Sequence, residues 1–139
     1  MFSVGKNVCL DDLGPIPPNT VIVPAAPQIE LLKRAALCLT HAGLNTTLEA
    51  LGLGVPLVAI PIGYDQPGVA ARIAYHRVGE YLELDDLTAR GLSGMIRKVL
   101  DDPSYREKAG CFREAIAAAN GLEVACHVID RAFGIGECA

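Results

Sequence analysis

The sequence is poor in the residues and patterns that define several functional classes. It has no tryptophan and only 5% aromatic residues. This is a low content for a protein that binds bases or sugars by aromatic stacking alone. No apolar run approaches the roughly 20 residues of a membrane-spanning helix, and the first residues do not lead into the apolar core of a signal peptide. We therefore expect no transmembrane segment and no secretory leader. The net charge of −4 argues against nucleic-acid binding through a basic surface.

The cysteines lack the spacing of a metal site or a disulfide framework. They are five in number, and no two form a CxxC pair, so neither a zinc site nor structural disulfides are expected. Most of them are predicted to be small buried hydrophobic residues in a reducing cytoplasm, which predicts a cytoplasmic protein. The five are Cys9, Cys38, Cys111, Cys126 and Cys138.

The sequence does contain the pattern of one folded α/β domain. Its 139 residues, of which 51% are hydrophobic, suit a single domain with a substantial core. Continuous apolar runs at 20–23, 36–40 and 56–60 predict parallel strands buried on both faces, and weaker strands are predicted at 8–10 and 81–84. Strands that alternate with helices imply a parallel sheet with helices on both sides. The predicted helices cover 28–35, 45–53, 67–78, 92–100, 105–119 and 122–133.

A turn with one glycine joins the strand predicted at 36–40 to the next helix. Ligands of open α/β sheets bind at the carboxyl ends of strands, and the first turn of a helix favours phosphate through its free N–H groups and its dipole. Gly43 would let a ligand approach the backbone closely. His41, Asn45 and Thr46 could donate side-chain hydrogen bonds to the same anion. The pattern is compatible with a phosphate site.

Structural roles account for the same residues. Thr46-x-x-Glu49 is also a capping box, in which the two side chains satisfy backbone N–H groups at a helix start, so capping and binding explain Glu49 equally well. A histidine such as His41 is, by itself, slightly more often structural than a ligand contact. The turn also lacks both of the glycine-rich motifs typical of nucleotide sites.

A second turn of the same kind follows the strand predicted at 56–60. Pro67 suits the first position of a helix, which places Asp65 and Gln66 at the carboxyl end of an adjacent strand. A carboxylate and a carboxamide there could form several hydrogen bonds with the vicinal hydroxyls of a sugar. Capping of the following helix is the structural alternative for either residue.

Together these motifs resemble the donor-binding signature of family 1 glycosyltransferases, the UDP-glycosyltransferases of the GT-B fold. Their order and spacing are those of the signature, which covers about the middle third of the chain. The run at 64–72 is most similar to bacterial carotenoid (zeaxanthin) glucosyltransferases and to macrolide-type relatives. The matching elements are Pro27-Gln28, His41-x-Gly43-x-Asn45-Thr46-x-x-Glu49, Gly54-Val55-Pro56, Pro61 and Asp65-Gln66.

The resemblance implies a sugar-binding set and a nucleotide-binding set. Asp65 and Gln66 would hold the hydroxyls of the donor sugar. No metal or other cofactor is implied, because a helix dipole and hydrogen-bond donors would neutralise the leaving diphosphate. The nucleoside would lie by the backbone of Ala26 and by Gln28, the diphosphate by His41, Gly43, Asn45 and Thr46, and the ribose by Glu49.

The resemblance also implies the function. Residues 1–139 would form the Rossmann-like, nucleotide-sugar-binding C-terminal domain of an inverting GT-B enzyme. That enzyme would transfer a hexose, expected to be glucose, from a UDP- or TDP-sugar to a hydroxyl of a small, lipophilic acceptor. Its catalytic base would be a histidine of the N-terminal acceptor domain, which this sequence lacks. No catalytic residue is therefore expected here, His76 and His127 are expected at the surface, and the chain alone is expected to be inactive.

The sequence departs from the family at one position, and it is compatible with two other functions. Plant members of the family carry a tryptophan that stacks on uracil where this chain has Ala25, so the preferred base is not fixed. The chain could instead be the donor-binding subunit of a two-chain glycosyltransferase, with the N-terminal domain supplied in trans. It could also be a non-catalytic nucleotide-sugar-binding or oligomerising module. A sheet that lacks strands before residue 8 would expose an edge, which predicts a homodimer.

Overall fold

The computed structural model describes residues 1–134, apart from the side chain of Leu10, and contains two compact units. The first unit is Met1–Arg34. Its strands pair in parallel, with Phe2 opposite Ile22 and Ser3 opposite Val23. It contains β1 (Phe2–Ser3), a 3₁₀ helix (Leu10–Leu13), β2 (Ile22–Val23) and α1 (Gln28–Leu32).

The second unit, Ala35–Ala139, contains a three-stranded parallel sheet within its described part. The strands lie in sequence order, β3-β4-β5. They are β3 (Cys38–Thr40), β4 (Leu57–Ala59) and β5 (Gly79–Tyr81). The helical segments are α2 (Leu44–Gly52), α3 (Gln66–Tyr75), a 3₁₀ helix (Leu84–Asp86), α4 (Ala89–Asp101), α5 (Pro103–Ala119) and α6 (Gly121–Phe133).

The central strand β4 is buried on both faces. Val58 packs against Val99 of α4 and Tyr105 of α5. Because side chains alternate along a strand, Leu57 and Ala59 point to the opposite face, and all three residues of the strand are fully buried. Helices therefore cover both faces of the sheet, which confirms the predicted α/β class.

The two weaker strand predictions were wrong in different ways. Residues 8–10 form no strand; the chain enters the 3₁₀ helix at Leu10–Leu13, where consecutive aspartates and the following glycine favour a turn. The strand predicted at 81–84 lies at Gly79–Tyr81, because the backbone pairs Leu57 with Gly79. Both differences arise in short segments where apolar periodicity carries little information.

The prediction that most cysteines are buried was also wrong. Cys9, Cys111 and Cys126 are exposed free thiols, and Cys38 is half-buried. Burial raises the pKa of the Cys38 thiol, so that group is a poor nucleophile. Cys138 lies outside the described residues. Within residues 1–134, no helix combines the length and the hydrophobicity needed to cross a bilayer.

Gly79 lies so close to the neighbouring strand that its position has no room for a side chain. A Cβ atom at this position would lie 2.0 Å from the carbonyl oxygen of Leu57 and 2.9 Å from Cγ2 of Ile73. We expect Gly79→Ala to destabilise the fold by at least about 3 kcal/mol, measured by urea denaturation.

Gly94 provides the matched control for that substitution. It lies inside α4, and a Cβ there meets no atom within 4 Å, so Gly94→Ala should stabilise the fold by roughly 0.5–1 kcal/mol. Equal midpoints for the two variants would contradict the register of β4 and β5.

A cluster of Glu80, Lys98 and Tyr105 links β5 to α4 and α5. The Glu80 carboxylate accepts a hydrogen bond from the Tyr105 hydroxyl and pairs with Lys98 Nζ at 2.7 Å. Partial burial would raise the pKa of Glu80, but the hydrogen bonds from Lys98 and Tyr105 outweigh it and hold that pKa below its usual value. The ionised carboxylate therefore stabilises the folded state.

The lowered pKa of Glu80 predicts a loss of stability in acid. A carboxylate with a lowered folded pKa contributes stability above its unfolded value, about 4.3, and loses it as the pH falls through the folded value. On acidification from about pH 6 to about pH 3, wild type should lose more unfolding free energy than Glu80→Gln. Glu114→Gln, which removes an exposed carboxylate of α5, is the control and should follow wild type. Parallel curves for wild type and Glu80→Gln would contradict the expected role of the cluster.

Candidate functional site

The two strand-to-helix turns that carry most of the predicted residues begin side by side. Thr40 at the end of β3 is paired with Ala59 at the end of β4, and the Ile60 N–H donates to the Thr40 carbonyl at 2.8 Å. The chain leaves both strands at the same edge of the sheet, which is the edge where ligands of α/β folds bind.

The first turn is built so that His41 lies against Gly43. A Cβ atom at Gly43 would stand 2.7 Å from His41 Nε2, so a larger residue here would push the exposed imidazole away from the start of the helix. Ala42, between them, is fully buried with a φ of 66°, a left-handed conformation that disfavours residues with a Cβ. Its N–H donates to Thr40 Oγ1 at 3.2 Å, which helps to hold the strained residue in place.

Helix α2 begins where the histidine ring lies. Gly43 is its N-cap and provides no side-chain hydrogen bond to the first turn. Thr46 is the third residue of the helix and not its N-cap, so the capping-box interpretation of Thr46 and Glu49 was wrong in register. A capping box at Thr46 requires the helix to begin one residue later, at Thr47, whereas α2 begins at Leu44.

The polar residues of α2 share one face of the helix. Asn45 and Glu49 are four residues apart and Thr46 and Glu49 are three apart, and such residues are neighbours on a helix surface. The opposite face is buried through Thr47, Ala50 and Leu51. Thr47 donates its hydroxyl to the Gly43 carbonyl at 3.0 Å.

The second turn places Asp65 and Gln66 at the start of α3. Asp65 is the N-cap, but its carboxylate accepts no capping hydrogen bond from the helix. Gln66 is the first residue of the helix, so Pro67 takes the second position and not the predicted first one. The carboxamide oxygen of Gln66 accepts hydrogen bonds from the N–H groups of Ile62 at 2.8 Å and Gly63 at 3.1 Å. A sugar hydroxyl could therefore bind Gln66 through its NH₂ group.

A groove of about 440 Å³ runs between α2 and α3. It connects the two turns, because Leu44 of the first helical turn and Asp65 both line it. Gly68 and Val69 of α3 and Phe112 of α5 also line it. The lining is largely apolar, and Asp65 and Arg72 are the charged residues in it.

The structure therefore brings seven of the nine predicted residues to one edge of one sheet. These are His41, Gly43, Asn45, Thr46, Glu49, Asp65 and Gln66. The other two, Ala26 and Gln28, belong to the first unit, where Gln28 begins α1. His76 and His127 are exposed, as expected. Among residues 1–134, no three His, Cys, Asp or Glu residues are grouped as metal ligands.

Sequence reasoning did not identify the residues that shape the turns. Thr40 and Thr47 fix the first turn through their hydroxyls, and the only sequence signal was a threonine on each side of the glycine loop. Tyr64 was overlooked as well, although it has a φ of 59° and a fully exposed side chain. A bulky residue in a left-handed conformation gives no signal in an apolar pattern.

Comparison with known proteins identifies the family in which this arrangement of turns occurs. Residues 5–130 match the family described as Erythromycin biosynthesis protein CIII-like, C-terminal domain. The chain belongs to this EryCIII-like family of glycosyltransferase C-terminal domains. The resemblance stated from the motifs is thereby confirmed at the level of the family.

Individual relatives agree with the EryCIII-like assignment. The chain is 37% identical over 129 residues to the uncharacterized UDP-glucosyltransferase YojK of Bacillus subtilis, covering 93% of this chain and 32% of that one. It is 33% identical over 119 residues to zeaxanthin glucosyltransferase of Pantoea ananas, covering 86% and 27%. The structure of CalG4, the calicheamicin glycosyltransferase, superimposes with a TM-score of 0.87 at 26% identity, covering 98% and 36%. The structural neighbours are GT-B glycosyltransferases. The chain spans about a third of the length of the relatives it matches.

The hydrogen bonds of Gln66 give a direct test of the second turn. We expect Gln66→Leu to raise amide hydrogen exchange at Ile62 and Gly63 about fivefold, because each of the two N–H groups loses an acceptor worth roughly 1 kcal/mol. Gln66→Glu keeps an acceptor oxygen at the same place and is the control. NMR-detected exchange measures both; unchanged exchange in Gln66→Leu would contradict the described turn.

Proposed function

We propose that this EryCIII-like domain binds the donor of an inverting glycosyltransferase that transfers a hexose, glucose in the first instance, from a nucleoside diphosphate to a hydroxyl group. The observation that carries the proposal is the position of the His41 ring against Gly43, at the amino end of α2. A Cβ atom on Gly43 would lie only 2.7 Å from His41 Nε2. This position brings an imidazole to the same point as the N–H groups of a helix start.

The β3–α2 turn supplies what a diphosphate requires. The N–H groups of the first turn of α2 and its dipole attract an anion. His41 and Asn45 would add side-chain hydrogen bonds, and Gly43 would let the phosphate approach the backbone. Glu49, one turn further along the same face, would accept hydrogen bonds from the ribose hydroxyls. Ala26 and Gln28 remain the proposed contacts of the nucleoside.

The β4–α3 turn supplies what a sugar requires. Asp65, whose carboxylate caps no helical N–H, would accept hydrogen bonds from sugar hydroxyls. Gln66 would donate its NH₂ group to a hydroxyl, since its oxygen holds the turn. The parallel pairing of β3 and β4, whose backbones lie about 4.8 Å apart, starts this turn beside the phosphate turn.

The proposed chemistry divides between this domain and the rest of the enzyme. A base removes the proton of the acceptor hydroxyl, the oxygen attacks the anomeric carbon in line, and the bond to the diphosphate breaks with inversion. The groups at the start of α2 would stabilise the negative charge on the leaving diphosphate. We assign the base and the acceptor site to an N-terminal domain, joined in cis or supplied in trans. A cytoplasmic location and independence of metals belong to the same proposal.

Calorimetric titration of the full chain with UDP, TDP and UDP-glucose tests the proposal. UDP-glucose should bind more tightly than UDP, because Asp65 and Gln66 contact only the sugar. His41→Ala should weaken both by about tenfold, from the loss of a hydrogen bond to a charged group. Asp65→Asn should weaken UDP-glucose and leave UDP unchanged.

Two residues of α6 provide the matched controls. His127→Ala and Asp130→Asn make the same chemical changes on α6, which contains none of the proposed contacts, and both should bind as wild type does. Equal affinities of wild type for UDP and UDP-glucose would contradict the sugar site. A loss in the α6 controls as large as in the turn variants would contradict the location.

A further inference from the structure

Tyr64 displays an aromatic ring at the edge of the candidate sugar site. Its side chain is 100% exposed, whereas that of Tyr105 in the core is 3% exposed. Its backbone has a φ of 59°, which costs a residue with a Cβ roughly 1 kcal/mol. Strain of this kind persists only where the surroundings enforce it, and it gathers at binding sites.

Hydrogen bonds on both sides of Tyr64 enforce its position. Gln66 Oε1 holds the N–H groups of Ile62 and Gly63, and the Gln66 N–H donates to the Gly63 carbonyl at 3.2 Å. After the tyrosine, the Val69 N–H donates to the Asp65 carbonyl at 3.1 Å. Hydrogen bonds therefore hold the backbone on both sides of Tyr64, so the exposed ring is attached to an ordered backbone.

The chemistry of a pyranose explains an aromatic ring next to a carboxylate. The hydroxyls lie at the edge of a sugar ring, where a carboxylate such as Asp65 accepts their hydrogen bonds. The axial C–H groups leave an apolar face with a slight positive charge, which suits the negative face of an aromatic ring. Adjacent Cα atoms are only 3.8 Å apart, so the Tyr64 ring and the Asp65 carboxylate start from neighbouring points of the same turn.

We propose that Tyr64 is the platform on which the pyranose ring of the donor sugar stacks. This assignment rests on the proposed function, and it makes Tyr64 a residue that discriminates between sugars with different C–H faces. The phenol hydroxyl has no part in it; the ring face alone provides the contact.

Chemical nitration of tyrosine tests the contact directly. Tyr75, with 83% of its side chain exposed, is a matched reference in the same molecule. Saturating UDP-glucose should slow the nitration of Tyr64 by tetranitromethane at least about threefold, because the stacked sugar covers one face of the ring, and should leave Tyr75 unchanged. UDP at saturation should protect neither. Protection of Tyr64 by UDP alone would place the ring over the nucleotide and overturn the assignment.

Two variants separate the ring from the backbone. Tyr64→Phe keeps the ring face, so its affinity for UDP-glucose should equal that of wild type. Tyr64→Asn removes the ring but tolerates the left-handed backbone, so it should fold as wild type does. It should bind UDP-glucose about three- to tenfold more weakly and UDP unchanged.

The outcomes distinguish this assignment from the proposed function. A wild-type chain that prefers UDP-glucose over UDP, with Tyr64→Asn binding equally well, overturns the role of Tyr64 and leaves the sugar site standing. A wild-type chain that binds UDP-glucose no better than UDP contradicts the sugar site itself and the assignment with it.

Discussion

The parallel pairing of β3 with β4 is the constraint on which the candidate site depends. It sets Thr40 beside Ala59 and so starts two strand-to-helix turns at one edge of the sheet. Full burial of β4 between helices fixes the register, because a slip of one residue would turn Val58 away from Val99 and Tyr105. The proposed diphosphate and sugar sites can then lie next to each other.

Both turns contain a residue in a strained backbone conformation. Ala42 and Tyr64 both have positive φ angles, one in each turn, and Thr40 and Gln66 supply the hydrogen bonds that hold them. Gly43 completes the first turn by leaving room for the His41 ring. Rigid turns of this kind present binding groups at fixed positions, so a ligand spends little of its binding free energy on ordering them.

The α/β class, three of the strands and the two turns were predictable, because continuous apolar runs and strand–glycine–helix patterns report on burial and topology. Residues 81–84 were misassigned, since a three-residue strand is set by backbone pairing and close approach, as at Gly79, more than by pattern. Residues 8–10 were misassigned because the chain turns into a 3₁₀ helix there. The role of Gln66 in bracing its own turn and the left-handed Tyr64 depend on three-dimensional hydrogen bonding. The two turn patterns pointed to seven of the nine predicted site residues, with capping as the structural alternative for Glu49, Asp65 and Gln66. Ala26 and Gln28, and the assignment of each residue to one part of the donor, came from the resemblance.

We propose that the edge of the sheet where β3 and β4 end binds the diphosphate and the sugar of the donor. NMR chemical-shift mapping of the full ¹⁵N-labelled chain with UDP-glucose tests this location. Within residues 35–134, amide shifts should concentrate at residues 41–46 and 62–66, and UDP should reproduce the first group without the second. Shifts confined to α6 or spread evenly over the chain, with these two turns unaffected, would contradict it.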